Sequence, residues 1–113
     1  MSILPLLVAC APTPTPEASD PPPTPEPVQV RFATFNASLY RDDAGELIDD
    51  LGDPEHPQAR DAAVILQEVR PDVLLLNELD WDADGEALRR FHDDFLAVGI
   101  DGREGLDYPY RYL

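Results

Sequence analysis

Residues 72–80, Asp-Val-Leu-Leu-Leu-Asn-Glu-Leu-Asp, hold an unbroken apolar run from Val73 to Leu76 that stops at Asn77 and Glu78. The run does not alternate, so it predicts a strand buried on both faces, inside a mostly parallel sheet covered by helices. Burying each of these side chains contributes about 1.5–3 kcal/mol, which makes this strand the natural centre of a core. Ligands of open parallel sheets bind beyond the carboxyl ends of the strands. Glu78 therefore becomes a candidate metal ligand or catalytic carboxylate.

A second β-rich run, Arg31-Phe-Ala-Thr-Phe-Asn-Ala-Ser-Leu39, lies upstream and contains Asn36 near its end. Between the two runs, Pro57–Val69 carries helix signals. Pro57 suits a first helical position, and Ala59, Ala62, Leu66 and Val69 share one face, flanked by Ala63 and Ile65. Pro71 stops the helix. Strand, helix, strand is a parallel crossover unit with a right-handed preference. Parallel strands would bring Asn36 and Glu78 to one sheet edge, an amide and a carboxylate within reach of the same hard cation.

The pair Ala33-Thr-Phe-Asn36 and Asp72–Asp80, with a helix between, resembles the start of the endonuclease/exonuclease/phosphatase superfamily, which includes DNase I-like nucleases and phosphoesterases. In that family an early strand ends in Asn and a later one in Glu, and both surround a catalytic magnesium. The residues here that match are Asn36 and Glu78; Asn77 stands where Gln is usual. The resemblance covers roughly residues 29–113. It implies an α/β fold, the amino-terminal part of a two-sheet α/β sandwich. The family's later motifs (a catalytic His, an Asp-x-Asn pair and an Asp-His) have no match after Glu78, so the domain is expected to be incomplete and inactive by itself. What it implies chemically is a phosphoester hydrolase using Mg2+ or Mn2+, with Tyr110–Leu113 beginning a further strand.

The amino terminus has a different character. Residues 1–10 are apolar and end in Leu7-Val-Ala-Cys10, which resembles a bacterial lipobox, with Cys10 the lipidated residue and the only cysteine. The run is too short to span a membrane as a helix, and no basic residue precedes it. Residues 11–28 form a Pro/Thr-rich tract that can build neither ladder nor core and reads as a semi-rigid tether. Leader, tether and domain together imply an exported protein of a bacterial cell envelope or surface, lipid-anchored at Cys10.

Charge narrows the substrate. The chain has 23 acidic residues against 8 basic ones, for a net −15, and all eight basic residues are arginines. Only Glu17, Asp20 and Glu26 precede residue 29, so the charge falls on the domain. Such a field repels polyanions and leaves no basic stripe for nucleic acid, which favours small phosphoesters. No feature marks a protein partner. Asp80-Trp-Asp-Ala-Asp-Gly85 opens like an EF-hand calcium loop, with Asp80, Asp82 and Asp84 at alternate positions and Gly at the sixth. Leu88 and Phe91 then occupy the ninth and twelfth positions, where ligands belong. The other reading makes this an acidic loop in which Asp84 caps a helix carrying Leu88, Phe91 and Phe95. A non-catalytic, calcium-binding surface module is thus the alternative to the hydrolase. His56 and His92 lack a second ligand at convincing spacing and read as structural or exposed. Gly45–Leu51 reads as one or two helical turns, and Tyr108, Tyr110 and Tyr112 as strand packing.

Overall fold

A computed structural model describes residues 23–113. The element order is β1 (Phe32–Leu39), α1 (Glu46–Asp50), α2 (Pro57–Val69), β2 (Val73–Leu79), α3 (Glu86–Arg90) and a π-helical segment (Phe91–Leu96) that continues α3 directly. The two strands pair in parallel, Phe32 with Val73 through Asn36 with Asn77. The chain is thus α/β, with the crossover helix at the limits its sequence indicates. Cys10 and the apolar leader lie outside the described residues, as does most of the Pro/Thr tract; residues 23–28 are exposed and without regular structure. No helix among the described residues is long and apolar enough to cross a membrane.

Helix α2 starts at Pro57, whose missing N–H costs nothing in the first turn. His56 precedes it as N-cap, its Nδ1 accepting from the Ala59 amide at 3.4 Å. The helix ends on Arg70, in left-handed conformation at φ 51°. Its buried face is Ala59, Ala62, Ala63, Leu66 and Gln67. Val69, expected on that face, is exposed, as is Ile65. The stripe leans the other way because α2 packs against the π segment, and the contact side carries Gln67 rather than Val69.

The core lies on one side of the sheet. Leu39, Leu47, Leu51, Leu66, Phe91 and Phe95 are buried there, and the two phenylalanine rings stack with centroids 6.3 Å apart. Gln67 fastens the far end of the π segment. Its Nε2 donates to the carbonyls of Phe95 (3.2 Å), Leu96 (3.0 Å) and Val98 (2.7 Å), while Oε1 accepts from the Ile100 amide at 3.3 Å. A widened π turn leaves carbonyls poorly served by their own helix, and this one side chain serves them. The returning loop then passes so close that a Cβ on Gly105 would collide with the Ala97 carbonyl oxygen.

The opposite sheet face is open, which corrects the expectation that Val73–Leu76 is buried on both sides. Val73 is 48% exposed and Leu75 62%, with Phe32 at 73% beside them. Leu74 and Leu76 pack partly against the core. The helical elements among the described residues pack on the other face, so every second residue of the run meets solvent. Residues 103–113 have no regular structure. Tyr110–Leu113 is therefore not a strand, and Tyr110 and Tyr112 are exposed rather than packed against one. That segment runs beside β2 without joining its ladder, held where the Tyr108 hydroxyl donates to the Pro71 carbonyl at 2.7 Å.

Candidate functional site

The parallel pairing fixes the geometry of the strand ends. Asn36 and Asn77 are register partners, and Glu78 follows immediately. The ladder then breaks: Ala37 and Ser38 on β1 stand against Glu78 alone before Leu39 meets Leu79. An extra residue on one strand is a bulge, a device that re-aims side chains at sheet rims. Both sides of this bulge are strained, with Ser38 at φ 51° and Glu78 at φ 54°. A left-handed backbone costs an ordinary residue about 1–2 kcal/mol. Strain of this kind collects at functional sites.

Each side chain has a distinct state. Glu78 is exposed, and its carboxylate takes part in no hydrogen bond or ion pair among the described residues. Asn36 is already engaged on its oxygen side: Oδ1 accepts from the Ser38 amide at 2.9 Å and from the Ser38 hydroxyl at 3.3 Å. That Asx turn leaves the Asn36 amide hydrogens as the group on offer. On the same face Asn77 donates to the Thr34 hydroxyl at 2.9 Å. The edge therefore presents one free carboxylate beside one neutral donor.

A bracing network lies behind the bulge. The Gln58 Nε2 donates to the Ser38 carbonyl at 2.6 Å, and its Oε1 accepts from Arg41 at 3.1 Å. Arg41 also pairs with Asp50 at 2.7 Å, and its backbone amide donates to Asp80 at 3.0 Å. Gln58 and Arg41 thus hold the left-handed Ser38 from beneath. Gln58 carries only one signal in the sequence, a long amide in the first turn of a helix that starts near the strand ends.

The acidic loop is committed locally. Asp82 accepts from the amides of Asp84 (3.2 Å), Glu86 (2.8 Å) and Ala87 (2.9 Å). Bonds from Ala87 and Glu86 hold its carboxyl below the ordinary aspartate value of 3.8. Asp82, not Asp84, therefore serves the start of α3, because Gly85 occupies the N-cap position and has no side chain to offer. Among the described residues no group of three or more His, Cys, Asp or Glu is placed to hold a metal ion. A cleft of about 440 Å³ opens beside this loop, lined by Arg41, Asp42, Asp80 and Trp81 among others. Neither Asn36 nor Glu78 lines it, nor the larger groove along β2. They stand on open edge. No family model, curated protein or solved structure matches the chain.

Proposed function

We propose that residues 29–113 are the amino-terminal part of an endonuclease/exonuclease/phosphatase-type domain, a two-sheet α/β sandwich, and that the protein is a magnesium- or manganese-dependent phosphoesterase. The observation that carries this reading is the unpartnered Glu78 carboxylate. It stands on a strained bulge at the carboxyl end of a parallel strand, one residue past the register partner of Asn36. The open apolar sheet face supports the sandwich, since Phe32, Val73 and Leu75 are what an inner face offers to a second sheet about 10 Å away.

The residues present fit a magnesium ion by donor chemistry. Magnesium keeps most of its waters and is held by one or two carboxylates plus substrate oxygens, so a lone exposed Glu78 suffices where calcium would need a cage. A bound magnesium would polarise a phosphoryl oxygen and stabilise the leaving group. Glu78 would hold the ion, directly or through water. Asn36 donates an amide hydrogen to a phosphate oxygen and so orients it, because its own oxygen is taken by Ser38. Gln58 and Arg41 keep the bulge in place. Among the described residues no group at this edge is assigned as base for the attacking water. The net charge of −15 favours small phosphoesters over polymers. Cys10 and the tether would place the enzyme at a bacterial envelope, anchored in the membrane.

The test is magnesium binding by the 113-residue chain, measured by calorimetry beside Glu78→Ala and Asp82→Ala. The reading expects Glu78→Ala to abolish binding and Asp82→Ala to spare it. Loss in Asp82→Ala alone would favour the acidic calcium-loop module.

A further inference from the structure

His92 is buried, its side chain 5% exposed, and its two ring nitrogens face groups that cannot all be satisfied together. Nδ1 lies 2.7 Å from Asp93 Oδ1. If Nδ1 carries the proton, Nε2 has a lone pair, and it accepts the Tyr108 backbone N–H at 2.9 Å. Yet the same Nε2 stands 3.2 Å from Asp107 Oδ1, a contact that attracts only when Nε2 itself is protonated. A neutral imidazole donates from one nitrogen and accepts at the other, while an imidazolium donates from both. Each nitrogen therefore has a donor and an acceptor beside it: Arg111 Nη1 and Asp93 at Nδ1, the Tyr108 amide and Asp107 at Nε2.

We propose that His92 is a proton-operated latch on segment 107–113, holding it by the Tyr108 amide when neutral and by the Asp107 carboxylate when protonated. The segment is one wall of a groove of about 750 Å³ along β2, whose floor includes Leu76, Leu79 and Leu96. Swapping the bond moves the anchor by one residue along that wall and leaves the Tyr108 amide without its partner. The charged groups around the ring are few. From the π segment Asp93 faces Nδ1, with Arg89 of α3 3.7 Å from its other oxygen. From the segment come Asp107 and Arg111, the latter bonded to Asp93 at 3.2 Å and set against the His92 Nδ1 itself, so that in the neutral ring it is Asp93 that must hold the Nδ1 proton in place. Asp72 and Arg70 flank the Tyr108 phenol, which burial pushes above its ordinary value. The hydrogen bond from His92 holds the Asp93 carboxyl low, so Asp93 stays an acceptor while the ring changes state.

The experiment is a ¹H–¹⁵N NMR titration of the 113-residue chain from about pH 8 to 5, the span in which histidines change charge. It follows both imidazoles and the Tyr108 amide. The latch expects the Tyr108 amide to shift with the midpoint of the His92 ring. Its protection factor against exchange should fall about three- to tenfold below that midpoint, the change one lost hydrogen bond supplies. His56, the only other histidine, should have no effect on Tyr108. Asp107→Asn should shift the coupled transition to lower pH, and His92→Gln, which always offers an oxygen, should flatten it. A Tyr108 amide that ignores the His92 midpoint, or that follows His56, overturns the proposal in the unmodified chain, whether or not the variants fold.

Discussion

Replacing Gln67 with Leu keeps nearly the same volume on the buried face of α2 and removes only the bonds to the π segment. Gln67 is 2% exposed. Of its partners, Leu96 carbonyl also accepts from Leu106 at 2.7 Å, so it keeps a donor. The Val98 residue is half exposed, so water can reach its carbonyl. The Ile100 amide and the Phe95 carbonyl have no such alternative. Each buried group left unpaired costs about 1–3 kcal/mol, so the substitution should cost about 2–6 kcal/mol. That is a large share of a typical net stability of about 5–15 kcal/mol. Urea unfolding followed by far-UV circular dichroism reads the change as a lower midpoint at constant slope. A loss under about 1 kcal/mol would refute the view that this side chain holds the π segment, since one net hydrogen bond accounts for that much.

Three further outcomes follow from the same structure. Glu78→Gly should raise stability by up to about 1 kcal/mol, because Gly accepts the left-handed backbone but loses more chain entropy; chemical denaturation would show it, and magnesium binding should vanish in the same variant. Asp82→Asn should destabilise α3 at pH 7. The folded Asp82 carboxyl is depressed below 3.8, so its stabilisation is present above that value and lost as pH falls through the folded one. The gap between variant and parent should therefore close in acid melts, and a gap that widens there would contradict the capping role. Leu75→Thr, on the open sheet face, should reduce self-association in light scattering with little loss of stability, because Leu75 is 62% exposed and exposed apolar patches drive association.

Much of the crossover unit is legible in the sequence. Pro57 and Pro71 bracket α2, and the two apolar runs with their polar ends define parallel strands whose carboxyl ends meet. The burial of those strands is not legible, because an unbroken apolar run reports what a strand tolerates and not what covers it. Val73 and Leu75 therefore read as buried while no described element lies over them. The role of Gln67 is not legible, because a polar residue at the edge of an amphipathic stripe reads as solvent-facing. Its place four residues after Ala63, on a stripe otherwise made of Ala and Leu, was the available signal. Asp82 and Asp84 have equal capping propensity, and only the left-handed Gly85 decides that Asp82 reaches the amides. The bulge at Ser38 and Glu78 leaves no mark in composition, since neither residue favours positive φ.

The most direct test of the metal-edge reading is a magnesium titration of the 113-residue chain with backbone amide shifts recorded for every residue. Shifts should concentrate at Asn36–Ser38 and Asn77–Leu79 and be absent in Glu78→Ala. Shifts centred on Asp80–Asp84, or none along the strand ends, would contradict it.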